Sequence, residues 1–92
     1  MLNMRVGDYI IKSDDNNVTV TKAVRDESGE VKTDKSGSEV TTLVGYYRDL
    51  ERALSGIQKH YVYASDEEIR TIDEYKQKLN EITEQFKQQI KL

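Results

Sequence analysis

The 92-residue chain contains no cysteine, no proline and no tryptophan, and it has a single histidine. Without cysteine there is no disulfide, no thiolate nucleophile and no cysteine-ligated zinc. The one histidine, His60, cannot form a His–His metal pair, and a lone histidine beside an apolar stripe is usually a boundary residue. No motif assigns a catalytic residue, a metal site or a cofactor, so we expect a protein that is not an enzyme.

Long apolar runs are also absent. No stretch approaches the ~20 consecutive apolar residues of a membrane span. No apolar run resembling a signal peptide follows Met1 to Arg5. A small extracellular domain with 36 % hydrophobic residues would usually carry disulfides. We therefore expect a cytoplasmic protein without membrane contact.

The charges are balanced, with 14 basic and 17 acidic residues and a net charge of −3. Neither half of the chain is polarised. Binding to nucleic acid through its phosphates needs a concentrated basic patch, which the sequence does not supply. We therefore expect a partner other than nucleic acid.

Two polar segments resemble ligand sites, but each has a simpler structural interpretation. Asp14 to Asn17 offers oxygen ligands that suit calcium, yet the segment lacks the central glycine and distal glutamate of an EF-hand. Asp and Asn clusters of this kind are typical of turns. Asp66 to Glu68 precedes a predicted helix, where carboxylates favour the positive end of the helix dipole. A turn and a helix start are therefore the predicted roles.

The spacing of apolar residues changes at Gly45, from alternation before it to intervals of three and four after it. A period of two is typical of strands and a period near 3.6 of helices. Strands are predicted at 5–12, 18–25 and 39–46, with a long, mobile loop at 26–38. The sequence predicts one α+β domain over 1–92, in which a meander of three or four antiparallel strands fills 1–47.

Two helices follow, at 48–63 and 71–91, and we expect them to pack on one face of the sheet. Asp49 is the predicted N-cap of the first helix. Its Gly56 is unfavourable in a helix and indicates close packing at that position. The second helix has two candidate starts, Ser65 and Thr71; we favour Thr71, which leaves 64–70 as a linker.

The predicted core collects the inward residues of both parts of the chain. The alternating strand residues supply one layer and the helical stripe the other. The expected members are Val18, Val20, Val24, Val44, Leu50, Leu54, Ile57, Leu79 and Ile82, with Ile10 or Ile11 from the first strand.

Six tyrosines against one phenylalanine are the one oddity of the composition. Tyrosine is enriched in binding interfaces, although tyrosines also rim small cores with their hydroxyls in water. Tyr46 and Tyr47 are adjacent, so on a strand they must point to opposite faces. The candidate interaction surface consists of Tyr46, Tyr47, Tyr63, Phe86 and Ile90. The second helix is longer than a small sheet can cover, so we expect a homodimer with Phe86 and Ile90 near the contact.

The stretch from Leu43 to Leu54, with the sequence LVGYYRDLERAL, resembles short proteins encoded by phages and prophages of Gram-positive bacteria. The opening Tyr9 to Asp14 before a second strand and the closing lysine- and glutamate-rich helix are similar too. That group is uncharacterised, so the resemblance implies a genomic setting, the cytoplasm of a bacterial host, and no particular activity.

Two functions remain open at this point. The leading hypothesis is a small module that binds another protein, as an inhibitor or modulator of a host protein. The alternative is a protein that binds single-stranded nucleic acid, with Tyr9, Tyr46 or Tyr47 stacking on the bases.

Overall fold

The structure is a computed structural model that describes residues 1–89. Its four strands form one antiparallel sheet in chain order, and two helices follow, which confirms the predicted α+β fold. The elements are β1 (Asn3–Val6), β2 (Tyr9–Ser13), β3 (Val18–Ala23), β4 (Thr41–Tyr47), α1 (Leu50–Tyr63) and α2 (Ile72–Gln89). Neither helix is both long and apolar enough to cross a membrane, within the residues described. Residues 90–91 of the predicted second helix lie outside that range.

The single strand predicted at 5–12 is wrong, because a tight turn divides it into β1 and β2. Val6 pairs with Tyr9, so Gly7 and Asp8 alone form the turn. Gly7 has φ +58°, the left-handed conformation that a two-residue hairpin turn requires and that glycine adopts without strain. Apolar residues continue on both sides of this turn, and for that reason the pattern reads as one strand.

The second predicted strand is also too long at its end. β3 stops at Ala23, and Val24 is half-buried rather than part of the buried core. Beyond Ala23 the chain turns into a separate paired segment, in which Val24 N donates to Val40 O at 2.9 Å. Within the sheet, Val20 pairs with Gly45 and Thr21 with Leu43, so Val44 is the extra residue of a β-bulge.

The core lies between the inner face of the sheet and both helices. Ile11, rather than Ile10, is the buried residue of the first predicted strand. The fully buried members of the cluster are Val6, Tyr9, Ile11, Val18, Val20, Ala53, Ile57 and Ile82. The partly buried members packed against them are Leu2, Val44, Tyr47, Leu50, Leu54, Tyr61, Leu79 and Phe86. Val44, Leu50, Leu54 and Leu79 were expected in the core and lie at its margin.

The helix starts follow the capping residues in the sequence. Asp49 is the N-cap of α1, and its side chain accepts a hydrogen bond from Arg52 N at 2.8 Å. At the start of α2, Thr71 Oγ1 accepts from Glu74 N at 3.1 Å, and the helix begins at Ile72. Ser65 to Arg70 is not helical, so the start near Thr71 is the one that the structure shows.

The segment between β3 and β4 contains two turns of nearly the same sequence, Asp26–Glu30 and Asp34–Ser38. In the first, Asp26 Oδ1 accepts from Ser28 N, Ser28 Oγ and Glu30 N. In the second, Asp34 Oδ1 accepts from Ser36 N, Ser36 Oγ and Ser38 N. Gly29 and Gly37 share φ +86°. The sequence analysis overlooks this repeat, whose signal is the recurrence of Asp-x-Ser-Gly.

Three backbone hydrogen bonds tie the repeat together. Val24 N donates to Val40 O, Val40 N to Lys32 O and Lys32 N to Val24 O, all at 2.8 to 2.9 Å. These bonds supply partners for backbone groups before, between and after the two turns, at positions eight residues apart along the chain. The predicted mobility of 26–38 stays a prediction.

Candidate binding surface

The face of the sheet that points away from the helices carries large apolar side chains that are exposed. On this face the strand register forms two rows of four side chains, with the pair Ala23 and Thr41 beyond them, because directly paired residues of antiparallel strands share a face. We call these two rows the outer face. One row is Asn3, Lys12, Thr19 and Tyr46, and the other is Arg5, Ile10, Thr21 and Leu43.

The apolar part of the outer face lies on β4. Tyr46 is 64 % exposed and Leu43 is 54 % exposed, although both belong to a paired strand. Ile10, on β2, is half-buried. Large apolar side chains at this exposure lose water contact only when something docks on them, so this region has the character of a binding surface.

The charge on the outer face is weakly positive. Neither row contains a carboxylate. Arg5 is held by Glu39, with Nη1 and Oε2 2.7 Å apart, so its charge is compensated within the chain. Lys12 is exposed and makes no ion pair with another described residue. A partner surface would therefore meet one uncompensated cation beside the apolar residues.

The second feature of this surface is the free edge of β4. The strand pairs with β3 alone, so every second backbone N–H and C=O along it points away from the sheet. No residue from Thr41 to Tyr47 is charged. Thr41, Thr42 and Leu43 are exposed in succession, which means that neither face of this half of the strand is covered.

The structure distributes the five predicted interaction residues over several places. Tyr46 lies on the outer face and Tyr47 on the inner one, which confirms that the two tyrosines point to opposite sides. Tyr63 is 73 % exposed at the end of α1. Phe86 is half-buried and packs against the core of its own chain. Ile90 lies outside the described residues. Their joint role in binding stays a prediction, since only Tyr46 belongs to the outer face.

Tyr47 explains the glycine in the first helix. Its ring lies against Gly56 so closely that a Cβ at that position would overlap the ring. The same ring passes over Gly45, where a Cβ would lie 2.9 Å from the hydroxyl oxygen. Two glycines therefore make the space for one tyrosine, and the close packing predicted at Gly56 is confirmed.

The polar cavity at the β1–β2 turn is a second candidate for a functional site. It measures about 780 Å³, and its lining includes Lys22, Arg25, Tyr9 and Tyr61. At its side, the Tyr9 hydroxyl and His60 Nδ1 are 2.9 Å apart, with their rings nearly perpendicular. Lys22 Nζ lies 5.4 Å from the centre of the Tyr9 ring.

The titration of Tyr9 and His60 is governed first by their burial. Burial raises the pKa of Tyr9 to about 12, so the phenol keeps its proton at neutral pH. Burial, with a smaller contribution from Lys22, lowers the pKa of His60, so the imidazole is neutral there. Arg25 is paired with Asp8 through two hydrogen bonds of 2.7 and 2.8 Å. The described residues contain no cluster of His, Cys, Asp and Glu that could hold a metal ion. The polar contacts here stabilise the packing of α1 on the sheet.

Of the residues on this surface, only Tyr46 is predicted from the sequence; Leu43, Lys12 and the edge of β4 are not. The available signal was the uncharged run from Thr41 to Tyr47 in the last strand of a meander, which must lie at an edge of the sheet. Comparison of this chain with protein-family models, curated proteins and solved structures found no match. The geometry of the outer face and of the β4 edge therefore carries the functional argument.

Proposed function

We propose that this chain is a small, non-enzymatic protein-binding module whose outer face docks on a partner protein. The observation that carries the proposal is the exposure of Tyr46 and Leu43 side by side on β4. Tyrosine is among the residues that contribute most to protein interfaces, because it combines a large apolar ring with a hydroxyl. A rigid sheet also presents these side chains with little loss of conformational freedom on binding.

The chemistry of the outer face defines the partner surface. The partner has an apolar centre that covers Tyr46 and Leu43, and it places a carboxylate within reach of Lys12. Such a charge pair at the rim contributes mainly to orientation and association rate, whereas the buried apolar centre contributes most of the affinity.

The biological setting is the second part of the proposal. A phage or prophage origin is supported by the resemblance at Leu43 to Leu54, which covers the strand carrying Tyr46 and its junction with α1. In that setting the chain acts in the cytoplasm of the bacterial host, as an inhibitor or modulator of a host protein.

The test compares two exposed tyrosines. Tyr46→Glu places a carboxylate on the outer face, and Tyr63→Glu makes the same change at the end of α1, away from the sheet. We expect a host protein that is retained by the immobilised wild type and by Tyr63→Glu and is lost from Tyr46→Glu. Retention by all three, or loss from Tyr63→Glu alone, would overturn the outer face as the docking surface. Circular dichroism of each variant checks that the fold is intact.

Nucleic acid is tested in the same experiment. Of the three tyrosines in the alternative hypothesis, Tyr9 is buried and Tyr47 is half-buried on the inner face, which leaves only Tyr46 open for stacking. Salt-sensitive retention of single-stranded DNA that disappears in Tyr46→Ala, without any retained protein, would replace the proposal by that alternative.

A further inference from the structure

We propose that the polar cavity at the β1–β2 turn binds a small organic molecule through its phosphate group. This binding is separate from the docking of the outer face and does not rest on it. The cavity measures about 780 Å³, and most small-molecule sites measure ~300–1,000 Å³. Inorganic phosphate alone fills only part of that volume, which leaves room for an organic portion.

Three segments that are distant in the sequence form the cavity. The β1–β2 turn supplies Gly7 and Asp8, β3 supplies Lys22, and the last turns of α2 supply Gln85 and Gln88. Gly7 allows the helix to come close, because a Cβ at that position would overlap the Gln85 side chain. The cavity therefore exists only in the folded chain, where α2 lies against the first hairpin.

The first argument is an excess of positive charge. Arg5, Lys22 and Arg25 line the cavity, and Asp8 is the only carboxylate among the described residues that line it. The hydrogen bond from Arg25 lowers the pKa of Asp8 most, and the charges of Arg25, Lys22 and Arg5 lower it further. Even when Glu39, the partner of Arg5, is counted as well, one positive charge remains.

The remaining charge belongs to Lys22. Its side chain is half-buried and makes no ion pair with another described residue. The ammonium lies over the Tyr9 ring, where the aromatic face favours a cation. Its charge also contributes, after burial, to the lowered pKa of His60. An anion in the cavity would supply the partner that this ammonium lacks.

The second argument is that both arginines are held in place and keep spare donors. Arg25 donates Nε and Nη2 to Asp8 and Nη1 to Gly29 O. Arg5 donates Nε to Gly7 O and Nη1 to both oxygens of Glu39. A guanidinium has five N–H donors, so each arginine has others beyond these bonds. Donors that are already fixed lose little conformational freedom when a ligand binds.

The nature of these donors identifies the anion as a phosphate. Guanidinium and ammonium groups only donate, and the amides of Gln85 and Gln88 add further N–H groups from α2. A phosphate group offers three acceptor oxygens, and arginine matches its geometry, whereas a carboxylate offers two.

A free small molecule suits this site better than a nucleic-acid backbone. Nucleic acid needs cations spread along a track, whereas these three gather in one cavity of a chain with net charge −3. The proposed ligand is therefore a phosphate monoester of low molecular mass.

The first experiment follows the backbone amide signals of the wild type by NMR during titration with adenosine monophosphate, glycerol phosphate or inorganic phosphate. We expect saturable shifts at Gly7, Asp8 and Lys22 with at least one of the two monoesters, and competition by inorganic phosphate. Adenosine, which lacks the phosphate, should cause no such shift, and succinate should bind more weakly.

Four outcomes would overturn the site. They are no saturable shift at millimolar concentration, a response to inorganic phosphate alone, equal shifts with adenosine, and equal affinity for succinate. The response to inorganic phosphate alone would indicate an adventitious ion only. None of these outcomes depends on whether a host protein is retained, so the cavity and the outer face are tested separately.

The second experiment removes the charge of Lys22. Lys22→Met keeps the length of the side chain, and we expect it to raise the dissociation constant of the monoester about tenfold or more, because a charge-assisted hydrogen bond is lost. Lys22→Arg should retain most of the affinity. Lys76→Met is the matched control, since Lys76 is exposed on α2 and outside the cavity lining. Equal effects of Lys22→Met and Lys76→Met would reduce the binding to the net charge of the chain and overturn the site.

The third experiment tests the contribution of α2. Gln85→Glu changes the shape of the side chain little but places a carboxylate in the cavity, and it should weaken binding of the monoester about tenfold or more. Gln77→Glu makes the same change at an exposed position of the same helix and should leave binding intact. Circular dichroism checks the fold of each variant. Undiminished binding by a folded Gln85→Glu would exclude α2 from the site and overturn the proposal.

Discussion

The two edges of the sheet differ in length and in charge, two properties that control pairing with another chain. β1 has four residues and carries Arg5, whereas β4 has seven and carries no charge. Arg5 is also held in place by Glu39 and by a hydrogen bond from its Nε to Gly7 O at 3.0 Å. A short, charged edge ends a sheet, and a long, uncharged one permits its extension. Of the two edges, β1 is therefore the protected one and β4 the open one.

The helices beneath the two edges differ as well. α1 packs under β3 and β4, and it buries Ala53, Ile57 and Val62. α2 packs against α1 and under β1, and Ile82 is its one fully buried residue within the described chain. The β4 half is therefore anchored by three buried residues of its helix, whereas the anchoring of α2 depends on Ile82 together with the partly buried Leu79 and Phe86.

Ile82→Ala tests that dependence and should have the largest effect of the substitutions considered. Removing a fully buried isoleucine costs about 2–5 kcal/mol of unfolding free energy, because the cavity left behind collapses only in part. Urea unfolding measures the loss. Ile72→Ala is the control in the same helix, since Ile72 is 73 % exposed and should change the stability by less than about 0.5 kcal/mol. Similar losses in both variants would show that α2 is not anchored through Ile82.

Gly56→Ala tests the anchor of the other half. The added methyl group would overlap the Tyr47 ring, and such overpacking costs about 1–3 kcal/mol. Alanine regains up to ~1 kcal/mol through its better helix propensity, so we expect a net loss of up to about 2 kcal/mol. In a Tyr47→Leu background the overlap is gone, and the same substitution should become neutral or stabilising. Equal losses in both backgrounds would mean that another contact restricts Gly56.

The glycine at position 56 also shows how far the sequence could predict this structure. An unfavourable residue inside a clear helical stripe indicates close packing, and the structure confirms it, but the sequence does not name Tyr47 as the neighbour. Which strand residue lies over a helix depends on the register of the sheet and on the bulge at Val44, and both result from packing between distant segments.

The first hairpin shows the opposite case. Its signal is local in the sequence, and the prediction nevertheless missed it. Gly7-Asp8 is a two-residue turn sequence, yet the apolar residues around it predict one continuous strand.

The candidate surface was also predicted only in part. The alternation of Tyr46 and Tyr47 across the strand follows from local geometry, whereas the openness of β4 depends on the strand order of the whole sheet.

The smallest expected effect is a pH dependence at the contact that joins the two halves. His60 on α1 bonds to the Tyr9 hydroxyl of β2, with Lys22 as the nearby cation. Burial first, and Lys22 second, lower the pKa of His60 in the folded protein. The unfolded chain therefore binds more protons than the folded one below about pH 6.5, the ordinary pKa of histidine. The free energy of unfolding therefore has its full value above that pH, and it decreases as the pH falls from about 6.5 through the lowered pKa of His60 in the folded protein.

Urea unfolding at about pH 7.5 and pH 5.5 measures this decrease, because His60 is the only histidine in the chain and ordinary carboxyl groups titrate at lower pH. His60→Gln keeps a side chain that accepts a hydrogen bond from Tyr9 but does not titrate in this range, so its stability should be the same at both values. A wild type that is equally stable at both pH values would contradict the prediction, and a variant with the same loss as the wild type would assign the pH dependence to another group. The wild-type loss should be small, because His60 is only half-buried and water screens the charge that it gains.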